Sequence, residues 1–149
     1  MIHTVAALLL SLLFVAAAEA QSLKIADRKG GKSFTAAELL ASPLARDVTI
    51  ARDPVYGRSM TYRAIPVPEL LKGLEVDQKD YVDFVATDKF SIGIPARLLL
   101  RPGNPAPQAW LAIESPATPW PAMPEKGKET AAPFYVVWQD AKPGEVSSE

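Results

Sequence analysis

Apolar and polar residues alternate most clearly at two places. Val48 and Ile50 alternate with Thr49 and Ala51, and Met60, Tyr62 and Ala64 alternate with Thr61 and Arg63. A period of two predicts half-buried strands. The intervening Asp53-Pro54-Val55-Tyr56-Gly57-Arg58 supplies a proline and a glycine for a connecting loop, so the pair reads as a hairpin. Upstream, Ser22–Asp27 reads as a short strand and Lys29-Gly30-Gly31-Lys32 as a turn. Thr35 and Glu38 have the spacing of a capping box, Phe34 and Leu39 that of a hydrophobic staple, and Pro43 stops the helix soon after Leu40. A second short helix is predicted from Pro68 through Leu70 and Leu71 to Gly73.

Tyr81–Ala86 is apolar except for Asp83, the pattern of a central strand, and Asp88-Lys89 turns the chain into Phe90–Ile94. Pro95 opens a helical turn carrying Leu98, Leu99 and Leu100. Trp110–Ile113 and Phe134–Trp138 read as two more strands. The segment between them holds Pro116, Pro119, Pro121, Pro124 and Pro133, a density that forbids regular structure and favours a stiff, extended loop. No internal repeat is evident. Strands and short helices in irregular alternation predict an α+β domain, not a doubly wound parallel sheet.

The amino terminus changes the picture of where the chain works. Val5–Ala18 is apolar apart from Ser11 and leads into Ala18-Glu19-Ala20, the small-x-small pattern cut by signal peptidase. The apolar run is short against the roughly 20 residues that span a bilayer. Residues 1–20 are therefore expected to be a cleaved signal peptide and the product periplasmic. Residues 21–138 form the expected single domain, and 139–149 a polar tail or the start of a linker.

Composition then removes whole classes of chemistry. The chain has no cysteine, and its one histidine, His3, lies in the signal. A Cys/His zinc site, a Ser-His-Asp triad, a cysteine nucleophile and haem ligation by histidine are all excluded from the exported part. The formal net charge is −1, and Glu19 is the only Asp, Glu, Lys or Arg within the signal. The rest is balanced, which argues against nucleic acid or an anionic membrane as partner.

Several motifs admit two readings. Ala26-Asp27-Arg28-Lys29-Gly30-Gly31-Lys32-Ser33 fits the loosest phosphate-loop pattern, but the capping box starts the helix at Thr35, so a solvated turn is the better reading. Trp110 and Trp138 sit in apolar strands and read as core, whereas Trp120, between Pro119 and Pro121, reads as a surface candidate. The Pro-x-x-Pro spacing around it reads as a loop docked on its own domain through Trp120, whose rim, with Tyr56 and Arg58, is the expected partner site. Arg58, Arg63, Arg97 and Arg101 either converge on an anion or are solvated edges with acidic partners. Asp80, Asp83 and Asp88 have no spacing that fixes a metal.

From Phe34 to Trp138 the order of elements resembles the molybdopterin-binding domain of sulfite-oxidase-type oxidoreductases. The residues carrying the resemblance are Val48-Thr49-Ile50, Tyr62-Arg63-Ala64-Ile65-Pro66-Val67-Pro68-Glu69-Leu70-Leu71, Phe84-Val85-Ala86-Thr87-Asp88-Lys89-Phe90, and Ile94-Pro95 with Leu98-Leu99. It implies an α+β fold with a mixed sheet and short helices. The family's enzymes hold molybdenum through a cysteine thiolate that this chain lacks, and Lys89 stands where they usually have glycine, the residue suited to positive φ. The expectation is therefore a non-catalytic periplasmic binding or docking domain without a cofactor. Its expected partner is an envelope protein, a cytochrome being one candidate, and the chain itself is compatible with the N-terminal part of a c-type cytochrome electron-transfer protein. The alternative is an oxidoreductase or oxidoreductase subunit that binds a molybdopterin cofactor, with Arg97 or Arg101 on its phosphate. A third reading is a structural envelope protein with no concave site.

Overall fold

The computed structural model describes residues 22–86, 89–103, 107–142 and 144–146; the expected signal peptide lies outside the described residues. At the centre is a four-stranded sheet of β3 (Arg46–Ile50), β4 (Met60–Pro66), β7 (Gln108–Ile113) and β8 (Phe134–Gln139), in the order β3-β4-β7-β8. Two separate hairpins flank it, β1 (Ser22–Ala26) with β2 (Gly31–Thr35) and β5 (Tyr81–Val85) with β6 (Ser91–Pro95). The helices are α1 (Ala36–Leu40), α2 (Val67–Leu71) and α3 (Ala96–Leu99). The class is α+β. Every strand pairing among the described residues is antiparallel, so the expected mixed sheet is corrected.

The predicted hairpin forms as β3–β4, with Val48 opposite Tyr62 and Ile50 opposite Met60. β3 alternates because only one of its faces is covered: Val48 and Ile50 are buried, Asp47 and Thr49 exposed. In β7 and β8 both faces are covered, so both read as continuous apolar runs. On one face Ile65, Leu111, Ile113, Val136 and Trp138 pack with Leu39, Leu70, Leu71 and Leu99 of the helices. On the other, Val48, Tyr62, Ala64, Trp110, Tyr135 and Val137 pack with Tyr56 and Trp120. The edge strands β3 and β8 also touch, so the sheet curls around this second face.

Three further expectations are corrected. β5 is not a central strand: it pairs only with β6, and Tyr81, Asp83 and Val85 are exposed while Val82 and Phe84 lean on the core. A repeat does exist. Phe34-Thr35-Ala36-Ala37-Glu38-Leu39-Leu40, Ile65-Pro66-Val67-Pro68-Glu69-Leu70-Leu71 and Ile94-Pro95-Ala96-Arg97-Leu98-Leu99-Leu100 each run from a strand end through a cap into one helical turn. All three units place leucines in the same core cluster. Lastly, β8 continues to Gln139, and Ala141 and Val146 pack against the core, so the expected polar tail adheres as far as residue 146.

Candidate functional site

The loop joining β3 to β4 is organised by one carboxylate. Asp53 is fully buried, and its Oδ1 accepts from the backbone N–H of Val55 and of Tyr56, both at 2.9 Å. Its Oδ2 accepts from the Tyr62 hydroxyl at 2.8 Å, and the Tyr135 hydroxyl lies 3.4 Å from Oδ1. Tyr62, Tyr135 and Trp120 stack edge to face around it. Burial, then the hydrogen bond to Asp53, pushes the Tyr62 hydroxyl far above its ordinary pKa. Burial also raises that of Tyr56, although the Ala131 N–H donated to its oxygen works the other way. A tyrosine pushed upward stays protonated, so both hydroxyls remain hydrogen-bond donors.

The proline-rich segment lies on this cluster as expected. Trp120 is only 9 % exposed, its backbone N–H donates to Glu114 Oε1 at 2.7 Å, and the Ala131 backbone N–H donates to the Tyr56 hydroxyl at 3.1 Å. Tyr56 and Trp120 are thus inside the domain and support the loop from beneath. Of the expected partner residues only Arg58 is at the surface.

Pro54, Val55 and Met123 of the loop edge line an open groove of about 2360 Å³ together with β1, the α2–β5 connection, β5 and Phe90, and acidic residues outnumber basic ones along it. Beside the groove the β5–β6 hairpin exposes Tyr81 at 67 %, Val85 at 68 % and Phe90 at 58 %. The register places Asp83 opposite Gly93 and Tyr81 opposite Pro95. A Cβ on Gly93 would come within 3.1 Å of Asp83 Oδ1 and 3.6 Å of Tyr81 Cδ1, so the bare glycine lets both side chains lie across β6. Three large apolar groups this exposed on one hairpin mark an interaction face more often than scattered single ones do. These residues were not singled out from the sequence. Asp83 was the available signal, since a carboxylate at the middle of the run fixes which phase of β5 points to water.

Arg97 is exposed on α3, and Arg101 pairs with Glu145 at 3.3 Å. Neither lines the groove. The chain thus has no thiolate to hold molybdenum, and neither arginine expected on the cofactor phosphate faces the groove. Arg63 is engaged too, by Asp47 at 3.4 Å, so the four arginines are not gathered on one anion. The phosphate-loop pattern folds as strand, turn and strand: Asp27 caps the turn by accepting from the N–H groups of Lys29 and Gly30, and Lys32-Ser33 lie in β2. Among the described residues no group of three or more His, Cys, Asp or Glu is placed to hold a metal, and no helix is long and apolar enough to cross a membrane.

Lys89 has φ of 73°, the left-handed conformation for which glycine is suited. Comparison with protein-family models, with curated proteins and with solved structures gives no match.

Proposed function

We propose that this chain is a non-catalytic binding domain of the periplasm, related to the sulfite-oxidase-type molybdopterin-binding fold, that docks an envelope protein in the groove beside the β5–β6 hairpin. The observation that carries the reading is the exposed set Tyr81, Val85 and Phe90 on a hairpin whose other face is already occupied by the core. The acidic excess along the groove selects a partner with an apolar centre and a basic rim, such as an electron-transfer protein of the cytochrome kind. In this reading the domain supplies position and leaves chemistry to its partner.

The test is photo-crosslinking in the periplasm from position 81 or 90, with Thr49 on the opposite side as control. A partner that crosslinks from 81 and 90 but not from 49 is purified, and its affinity for wild type and for a Tyr81→Ser, Val85→Ser, Phe90→Ser variant is compared. The expected loss is at least about tenfold, or about 1.4 kcal/mol. Equal affinity for the two proteins would overturn the proposal.

A further inference from the structure

One edge of β5 is paired and the other is bare. Its ladder with β6 is closed at one end by the Ala86 N–H on the Phe90 carbonyl at 2.8 Å and at the other by the Ala96 N–H on the Asp80 carbonyl at 2.9 Å. Bonded and non-bonded pairs alternate along an antiparallel ladder, so Val82 with Ile94 and Phe84 with Ile92 are the bonded pairs between those ends. The backbone N–H and C=O groups of Tyr81, Asp83 and Val85 therefore point away from β6, and no described residue hydrogen-bonds to them. Every residue of β5 lines the groove but only Ile92 of β6 does, which turns the bare edge toward the groove. The Tyr81 and Asp83 side chains lean over Gly93 on the β6 side and leave that edge uncovered.

A strand edge left open is a template for another strand, and sheets commonly guard it with lysine, proline or a bulge. β1, the other hairpin strand along the groove, has an exposed Lys24 at its centre, and the outer edge of β6 ends in Pro95, which has no N–H. β5 has neither device. At its middle stands Asp83, which pairs with no cation among the described residues, and the same holds for Glu125 and Glu129 of the groove. A second copy pairing through the middle of this edge would set Asp83 against Asp83, and like charges directly opposite are destabilising. The bare backbone groups thus select an extended chain, and the unpaired carboxylates select a basic one.

We propose, building on the docking reading above, that the partner adds an extended basic segment to the free edge of β5 as a third, antiparallel strand. Its backbone pairs with Tyr81, Asp83 and Val85. A lysine or arginine of the segment lies opposite Asp83. The residues on either side of it turn to the other face, beside Val82 and Phe84, and are apolar because those two lean on the core.

The probe is the peptide Lys-Thr-Val-Lys-Val-Thr-Lys, acetylated and amidated at its ends, titrated into ¹⁵N-labelled protein. It is expected to shift the Tyr81, Asp83 and Val85 amides saturably and to slow their hydrogen exchange. N-methylation of the central lysine, whose N–H faces β5 in this register, should weaken binding at least about tenfold, and N-methylation of either valine, whose N–H faces away, should change it by less than about twofold. Glutamate in place of the central lysine should weaken binding, and Asp83→Lys should reverse the preference between the two peptides. Shifts that do not saturate, equal sensitivity to the two kinds of N-methylation, or a preference that Asp83→Lys leaves unreversed overturn strand addition. The crosslinked partner separates this from docking itself. If the partner loses affinity for the triple serine variant yet leaves the Tyr81, Asp83 and Val85 amides exchanging at their free rate, docking stands and strand addition falls. If those amides are protected in the complex as they are by the peptide, the partner is held by its backbone.

Discussion

Asp53 shows how one residue holds a loop that propensity alone would leave loose. Its carboxylate meets two backbone N–H groups and two tyrosine hydroxyls in a site closed to water, and a hydrogen bond to a buried charge contributes roughly 1.5–3 kcal/mol. Tyr62→Phe removes the shorter of the two hydroxyl bonds, and urea unfolding at neutral pH should show a loss of about 2 kcal/mol. Tyr135→Phe, which breaks only the 3.4 Å contact, should lose less. The same tyrosine predicts a pH dependence. Its pKa is raised in the folded state above the ordinary 10.0, so the folded protein keeps a proton that the unfolded chain gives up. That contribution is complete below pH 10 and is lost as pH rises beyond it. Stability should fall above pH 10 in the wild type and fall less steeply in Tyr62→Phe; identical slopes would show that Tyr62 is not the group responsible.

Docking of the proline-rich segment is a property of the element, since it depends on a few contacts holding a long connection. Prolines reduce the freedom lost on ordering, and Trp120 covers Tyr62 and Tyr135 while Glu114 and Tyr56 catch the backbone on either side. Trp120→Ala should cost about 3 kcal/mol if the loop stays down, or release the loop if it does not. Limited trypsin digestion at Lys126 and Lys128 separates the two, and faster cleavage in the variant with an intact β7–β8 pair is the expected result. This segment was legible in outline because prolines forbid regular structure, and the α1 start because a capping box is a local signal. β7 and β8 were legible because a strand buried on both faces is apolar throughout. β2 was not, because Gly31, Lys32 and Ser33 are exposed and owe their strand geometry to pairing with β1. β5 was misplaced for the converse reason: an apolar run looks the same in a sheet interior as in a hairpin that displays one face. The three strand-to-helix units escaped notice because Thr35 caps the first through its side chain, whereas Pro66 and Pro95 set the other two through fixed φ near −60°. The candidate site was the least legible part. Trp120 is legible as a docking residue because prolines flank it, Tyr56 is not legible as buried because it lies in a loop, and Tyr81 and Val85 sit in an apolar run that reads the same whether its face is displayed or covered.

At the scale of the molecule, the curled four-stranded sheet is covered on both faces and the two hairpins are attached to one of them. A two-stranded hairpin is marginal by itself, so each depends on its contact with the core. β1–β2 is held through polar contacts at the surface: Asp27 accepts from the Glu75 N–H at 2.8 Å, Lys29 pairs with Glu75, and the Lys32 ammonium donates to the Lys72 carbonyl. The Glu75 N–H, followed by that of Lys29, holds the Asp27 carboxyl below its ordinary pKa. The tie is complete above the usual carboxylate range and is lost only as pH falls through the lowered value. Stability should therefore be graded. Amides of β4 and β7, at the centre of the sheet, should exchange hydrogen only through global unfolding, and those of β1–β2 and β5–β6 through smaller openings. Asp27→Ala should then speed exchange in β1, β2 and at Glu75 while leaving Ala64 and Leu111 unchanged. Native-state hydrogen exchange at increasing denaturant measures this directly. If all strands exchange with one free energy in the wild type, the hairpins are integral to the fold and the hairpin face is as rigid as the sheet. If they separate, the proposed docking wall is carried by an element that can open without unfolding the rest.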